Sequence, residues 1–365
     1  MIFLKERALL KFKILMNKII GLDITEKEYR DLPYPSYSLL SDVSKNGPQV
    51  IGGARNTDIG ELDGVIVGKI VDSILTDKKI PENLFKVKKT PSGKVKAILK
   101  ALAYNAEMMP NPNKLLSKEN EEIIDNICEK VKYLKTKESR LKGIKNYEDY
   151  YEVIKKVIRE NKYRSDENNT SLEDSMIVSD YLYNVSVYLA KKLKKEFEYF
   201  FGDKINKSRE VFYQVKIIGE IKNVKFKGML DGLVIDHVNK TIIPFDLKTG
   251  SYPANKFIEK GLIGWNYYIQ AALYTALLEQ YIDTHHPEYK EYKMDSFKFI
   301  YADRLNSKET LYFDTKNIEN FNDSAMNKNL LQNINTFEEY EIKSVSDLID
   351  VYKKHIDDNS GDRKV

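Results

Sequence analysis

Cysteine is almost absent from this 365-residue chain, with Cys128 the single example. One thiol excludes an intramolecular disulfide, a cysteine-ligated iron–sulfur cluster and a cysteine-rich zinc site; it suits a reducing cytoplasm, with core packing as its role. An excess of one charge is lacking as well. The 59 Lys and Arg against 55 Asp and Glu leave a formal net charge of +4, so any nucleic-acid surface has to be local. No apolar run reaches the roughly 18 residues of a membrane span, so no membrane partner is expected. The apolar opening MIFLKERALLKFKILMNKII is broken by Lys5, Glu6, Arg7, Lys11 and Lys13, which removes the core of a signal peptide and predicts a short amphipathic helix. Met16 is an alternative start ahead of LDITEKEYRDLPYPSYS. There is no internal repeat, no low-complexity tract and no Gly-x-Ser-x-Gly elbow. Gly64-Val65-Ile66-Val67-Gly68-Lys69-Ile70 imitates a phosphate-binding loop, but it is one residue short between its glycines and ends on Ile70 where Ser or Thr is required.

What is present is a chain with enough apolar content, 42%, for one large domain or two ordinary ones. Residues 17–58, with Pro33, Pro35, Pro48 and Gly52-Gly53, predict loops and short turns. ELDGVIVGKIVDSILTD at 61–77 has helical spacing, and Thr90-Pro91 predicts a helix with Thr90 as N-cap and Pro91 in its first position. The helical period continues to about residue 200 through NYEDYYEVIKKVIRENKY and SMIVSDYLYNVSVYLAKKLKKEFEYF, interrupted by the polar loop RSDENNTS. After Gly202 the period falls to two. VFYQVKII, NVKFKGMLDGLVID and KTIIPFDLK read as consecutive strands, with HVNK as the turn between the last two. WNYYIQAALYTALLEQY returns to a helix, DSFKFIYADR and TLYFDT predict two more strands, and SVSDLIDVYKKHI predicts a helix before a fraying DDNSGDRKV end. These patterns predict an α/β fold divided into a mainly helical region at 1–200, a sheet-containing core at 201–315 and a carboxy-terminal extension at 316–365.

Asp246 and Lys248 end the apolar run Ile242 to Phe245, and two-residue spacing sends both side chains from one face of the strand. An acid beside a base at a strand end suits phosphodiester hydrolysis. The carboxylate can hold a hard cation such as magnesium, while the lysine orients or deprotonates the attacking water and offsets charge developing on the phosphate. Leu247, pointing the other way, leaves its backbone carbonyl as a further ligand. Acid-x-Lys alone carries no information here, because Glu220-Ile221-Lys222, Glu288-Tyr289-Lys290, Glu291-Tyr292-Lys293 and Glu341-Ile342-Lys343 share the form. The setting distinguishes Asp246-Leu247-Lys248. Asp231 lies on the preceding strand, where antiparallel pairing across HVNK brings it near Asp246. Gln270 and Tyr274 stand four apart on one helix face downstream.

The succession GMLDG, FDLKTG and a helix carrying QAALY resembles the RecB-like nucleases and phage exonucleases of the PD-(D/E)xK superfamily, in order and spacing over about residues 205–315. That resemblance implies a restriction-endonuclease-like mixed central sheet flanked by helices. It implies that Asp231 and Asp246 bind Mg2+ or Mn2+, that Lys248 is catalytic, and that Gln270 and Tyr274 form a Gln-x-x-x-Tyr element near the DNA backbone. It further implies an exonuclease acting on DNA ends in phage-type recombination, replication or repair, beside a single-strand annealing or single-strand-binding protein. A structure-specific endonuclease and an inactive nucleic-acid-binding or assembly protein are the alternatives. In the helical region, Gly68-Lys69-Ile70-Val71-Asp72 puts Asp72, a candidate metal ligand, where the family carries histidine. Gln214, with Glu210 on the same strand face, stands where the family often has Glu.

Other readings of these residues stay open. Asp231-Gly232 is also a hairpin-turn dipeptide, Asp246 with Lys248 could be a surface ion pair, and Gln270 and Tyr274 could simply pack. FKVKKTPSGKVKAILK carries Lys86, Lys88, Lys89, Lys94, Lys96 and Lys100 with no acid, which makes Lys88, Lys89, Lys94 and Lys96 candidate DNA-backbone contacts or an ordinary solvated face. Some of the 25 tyrosines could stack on splayed bases, the rest filling the core. His285-His286 beside Asp283 and Glu288 reads as a loop rather than a metal cluster.

Overall fold

The computed structural model describes residues 20–51, 63–76, 84–133, 135–163, 176–202, 208–305, 308–317 and 345–361. The expected amino-terminal helix, Gly52-Gly53 and the RSDENNTS loop lie outside them. In chain order the elements begin with α1 (Glu26–Asp31), α2 (Tyr37–Asn46), α3 (Asp63–Leu75), β1 (Leu84–Val87), α4 (Gly93–Tyr104), α5 (Glu121–Lys130), α6 (Lys137–Lys145) and α7 (Glu148–Tyr163). They continue with β2 (Met176–Ser179), α8 (Asp180–Glu196), α9 (Glu198–Phe201), β3 (Arg209–Ile221), β4 (Val224–Asp236), β5 (Thr241–Gly250) and α10 (Tyr267–His285). The last are β6 (Lys293–Met294), β7 (Lys298–Asp303), β8 (Thr310–Asp314) and α11 (Val345–Gly361). The chain forms two compact units, Met1–Arg55 with Leu193–Val365, and Asn56–Lys192. Among the described residues no helix is long and apolar enough to cross a membrane.

The first unit is built on a mixed sheet in the order β3-β4-β5-β7-β8, with β6 also beside β5. β3, β4 and β5 pair antiparallel, β5 and β7 parallel, and β7 and β8 antiparallel. The parallel pair needs a crossover, and α10 supplies it. Ile269, Leu273 and Leu277 of α10 join Val215, Ile217, Phe226, Leu230 and Phe299 of the sheet in one buried core. Phe245 stands against Phe200 and Phe201 of α9, with ring centroids at 5.0 and 5.7 Å.

Within the 17–58 segment, the described residues 20–51 are more regular than their prolines predict. Thr25 and Glu28 form a capping box that starts α1, through Glu28 N–H to Thr25 Oγ1 at 3.1 Å and Thr25 N–H to Glu28 Oε2 at 2.7 Å. Leu40 and Val43 of α2 are wholly buried in the sheet's core, which binds this segment to the sheet rather than to a helical region ending near 200. α11, expected as a helix, buries Val345, Leu348 and Ile349 in that core and continues to Gly361, into the DDNSGDRKV end that was expected to fray.

The second unit packs Ile98, Leu99, Leu102, Cys128, Tyr151 and Ile154 into a separate core, which gives Cys128 the expected packing role. Two details depart from the helical reading. Met176–Ser179, predicted as helix, is a strand paired parallel with Leu84–Val87. The β-branched Ile177 and Val178 fit that ladder, and Ser179 Oγ then accepts the Leu182 N–H at 3.3 Å to open α8. α4 begins at Gly93 with extended Ser92 in the N-cap position, two residues later than Thr90-Pro91 predicts, because Pro91 is buried ahead of the helix rather than in its first turn.

The turn between β4 and β5 is organised by Asp236. Its carboxylate accepts the backbone N–H groups of Val238 at 3.0 Å and Asn239 at 2.9 Å, the Asn239 amide at 3.0 Å and the Tyr199 hydroxyl at 2.7 Å. Burial works against the charged form, but these donors outweigh it and hold the carboxyl below the usual range. A folded value below the unfolded value of about 3.9 gives stability that is present above that value and lost as pH falls through the folded one. Asp236→Asn should therefore lower unfolding stability by about 2–3 kcal/mol at neutral pH, and denaturant titrations should show the deficit shrinking below about pH 4.

Candidate active site

The site forms where two neighbouring strands part. Pairing of β4 with β5 runs from Asp236↔Thr241 to Gly232↔Phe245 and stops there. The next opposed positions are Asp231 and Asp246, which lie on one face of the sheet. The Leu247 N–H, instead of reaching β4 backbone, donates to Asp231 Oδ2 at 2.9 Å. β5 meanwhile continues beside β7, with Asp246 opposite Phe299 and Lys248 opposite Tyr301.

A backbone irregularity marks the same point on the other side of β4. The β3–β4 ladder pairs Tyr213 with Gly232 and Val215 with Leu230, and omits the opposed Gln214 and Asp231 between them. Gln214 has a left-handed φ of 54°. Leu230 before this point and Leu233 and Ile235 after it all enter the α10 core, so the alternation of β4 slips by one at Asp231. Left-handed backbone in a non-glycine residue costs on the order of 1 kcal/mol and is tolerated where surrounding structure imposes it.

Asp246 is 2% exposed, which requires compensation of its charge. Lys248 Nζ stands 2.6 Å from Asp246 Oδ2, and Gln270 Nε2 donates to Asp246 Oδ1 at 2.5 Å. The ammonium also lies 4.6 Å from the centre of the Tyr267 ring, a cation–π contact. Burial disfavours the Lys248 ammonium, but the Asp246 charge outweighs it and raises the pKa above the ordinary lysine value. Burial pushes the Tyr267 hydroxyl up to about 12, against the lowering effect of Lys248, and raises Tyr37 in the same way. At neutral pH the site thus holds a charged lysine and protonated phenols. Asp246 Oδ2, despite the nearby ammonium, makes no hydrogen bond of ordinary geometry, and Gln270 Oε1 is likewise buried without a donor. Gln270 Oε1 without a donor, beside a carboxylate oxygen whose one neighbour is the ammonium, is an oxygen set that fits a hard cation.

The expected residues of the first unit divide into those that meet here and those that do not, and the others belong to the second unit. Asp231, Asp246, Leu247, Lys248 and Gln270 converge at the strand ends. Asp231-Gly232 is inside β4 and is not a turn. The Asp246–Lys248 pair is buried, not superficial. Tyr274 is 4% exposed; its ring meets Tyr37 edge-on at 5.8 Å and covers Gly228, so it forms the wall behind Gln270. Glu210 lies further along β3, opposite Ile235, and contacts His237 Nε2 at 3.0 Å. Asp72 is carried by α3 of the second unit, as are the four candidate DNA-binding lysines by their own segment of that unit. There the Lys88 N–H donates to Asp149 at 2.6 Å and Lys94 Nζ to the Lys132 carbonyl at 2.6 Å; Lys89 is exposed and Lys96 half-buried. His285 and His286 end α10 rather than sitting in a loop, with His286 Nδ1 3.2 Å from Glu288. Among the described residues no group of three or more His, Cys, Asp or Glu side chains is arranged to hold a metal.

Sequence reasoning missed Tyr37 and Tyr267, which line the site beside Lys248. Tyr267 was legible as the residue three before Gln270 on the same helix face; Tyr37 carries no local signal. No family model and no curated protein matches the chain. A crystal structure of a "Putative exonuclease" from Eubacterium rectale is similar at 12% identity, over 83% of this chain and 81% of that one, with a TM-score of 0.39.

Gly232 is the most sensitive neighbour of the site. A Cβ there would stand 2.0 Å from Phe245 Cζ, so the ring occupies the space a side chain would need. Gly232→Ala must displace Phe245, the residue preceding Asp246. The expected result is a loss on the order of 3 kcal/mol in denaturant unfolding, and an unchanged midpoint would contradict this packing.

Proposed function

We propose that the protein is a metal-dependent nuclease of the PD-(D/E)xK type on a restriction-endonuclease-like core, hydrolysing DNA phosphodiester bonds as an exonuclease at DNA ends. The observation that carries this reading is the buried Asp246 carboxylate, held between Lys248 and Gln270, with a second carboxylate, Asp231, beside it. Asp231 satisfies the Leu247 N–H and favours the Lys248 ammonium, but its charge also repels that of Asp246, a cost that a purely structural ion pair does not need. Polarised attack on a phosphate makes use of both.

Asp231, Asp246 and the Leu247 carbonyl would hold a magnesium or manganese ion, which when bound polarises the phosphoryl oxygen and acidifies water. Lys248 orients the attacking water and offsets charge developing on the phosphate. Gln270 fixes the Asp246 carboxylate through its amide, and Tyr267 confines the ammonium from below. Lys88, Lys89, Lys94 and Lys96 belong to the same reading as phosphate contacts. A single-strand annealing or single-strand-binding protein would act beside the nuclease in phage-type recombination, replication or repair. A second reading, a DNA-binding or assembly protein without catalysis, is favoured by the presence of only two carboxylates in the described site.

End-labelled linear DNA and closed circular DNA, incubated with Mg2+ and with EDTA, separate these readings. Wild type should degrade linear DNA only with the metal, and Asp246→Asn and Lys248→Met should each be slower by about a hundredfold or more. Equal degradation by all three proteins would place the chemistry elsewhere. Cleavage of circular DNA selects an endonuclease, and binding without cleavage in either metal ion selects the non-catalytic reading.

A further inference from the structure

The chain has one tryptophan, Trp265, and it is 58% exposed. An indole left in water at that extent is unusual for so large an apolar surface. It follows a π-helical turn, Phe257–Ile263, whose wider winding places residues four and five apart on one face. Phe257, Gly261 and Leu262 form the inward face, and Gly261 is held so close to Tyr252 that a Cβ would stand 2.8 Å from its hydroxyl. The outward face carries Ile258 and Ile263, 51% and 38% exposed, with Ile263 two residues before Trp265 in the chain.

This apolar patch is fixed to the candidate site. Asn266, left-handed at φ 57°, donates through its amide to Ser41 Oγ at 3.2 Å and Ser44 Oγ at 2.7 Å of α2. The next residue is Tyr267, whose ring lies against Lys248. Lys45 of α2 stands 5.3 Å from the centre of the Trp265 ring. Lys256 precedes the turn and Lys260 lies within it, both paired with Glu259, and Asp42 lies near Lys45. Three ammonium groups against two carboxylates leave the rim positive. An exposed aromatic plane with apolar neighbours and a cationic border matches a nucleobase and its phosphate.

We propose that Trp265, bordered by Ile258, Ile263, Lys45, Lys256 and Lys260, is a stacking platform for an unpaired base of the nucleic-acid strand that enters the Asp246 site. The proposal rests on the nuclease reading and extends it by naming single-stranded rather than fully paired substrate at the mouth of the site. Trp265 reports its own occupancy, since tryptophan can be excited selectively despite 25 tyrosines.

The test is titration of the full chain with oligothymidylate in EDTA, so that the strand is not consumed, following tryptophan emission and, with a labelled strand, fluorescence anisotropy. Emission should be quenched over the concentration range in which anisotropy rises. Trp265→Ala should bind about tenfold or more weakly, Trp265→Phe should recover most of the loss, and both should unfold like wild type. Binding by anisotropy with unchanged emission, and with Trp265→Ala equal to wild type, overturns the platform and leaves the nuclease reading intact. Absence of binding overturns the platform, and the DNA cleavage assay then decides the nuclease reading separately. Emission that changes on dilution of the protein but not with oligonucleotide assigns the patch to a second copy of this chain and also overturns the proposal.

Discussion

The structure around the candidate site follows from one electrostatic constraint, the burial of Asp246. A carboxylate at 2% exposure cannot be left without partners, because an unpaired buried charge costs several kcal/mol. Lys248 supplies the opposite charge from the same strand, two residues on, and Gln270 supplies a neutral donor from α10. Each partner is itself held. The Lys248 ammonium lies over Tyr267, and α10 is anchored at its start by the Asn266 contacts with Ser41 and Ser44. The positions of α2 and α10 against the sheet are thereby tied to the charge at the end of β5. Apolar packing alone would allow those helices to slide, since dispersion and area terms are not directional.

Strand register is the second requirement, and it is set away from the site. A slip of one residue between β4 and β5 would turn either Asp231 or Asp246 to the opposite face. Asp236 fixes the turn by accepting four hydrogen bonds, two of them from the backbone of the turn itself. Four rungs later, Gly232 allows the Phe245 ring to cross the ladder where any side chain would obstruct it. The turn and the glycine therefore agree on one pairing, and that pairing brings the two acids together where backbone hydrogen bonding ceases. Asp231 then takes over the Leu247 N–H, so the carboxylate both satisfies the orphaned backbone donor and stays at the site.

The alternation of β3, β4 and β5 and the helical period of α10 were legible because each element buries one face on the same core. The convergence of Asp231, Asp246, Lys248 and Gln270 was legible for a related reason, since two-residue and hairpin spacings fix which side chains share a face. Long-range and local exceptions were hidden. Tyr37 reaches the site from more than two hundred residues upstream of Tyr267, through a helix that proline-rich flanks disguised as loop. Met176–Ser179 read as the first turn of α8 because a four-residue strand has too few positions to separate the two periods, and its partner Leu84–Val87 lies far away in the chain. The left-handed Gln214 could not be anticipated, because glutamine has no intrinsic preference for that conformation and accepts it only under constraint.

That constraint connects fold to site more closely than composition suggests. Val215 and Leu230 are paired core residues on one side of Gln214, and Phe212 and Leu233 are paired core-facing residues on the other. With strict alternation one of these pairs would leave the α10 core for the opposite face of the sheet. The slip at Gln214 and Asp231 keeps both pairs facing the core, and it does so by giving up a regular rung at the position where Asp231 leaves the ladder to stand beside Asp246. The apolar burial recovered by keeping a Leu or Val inside is about 1.5–3 kcal/mol per side chain, more than the cost on the order of 1 kcal/mol of one left-handed residue. The irregularity is thus stabilised by the core on both sides of it, and Asp231 is released from the ladder to stand beside the buried Asp246.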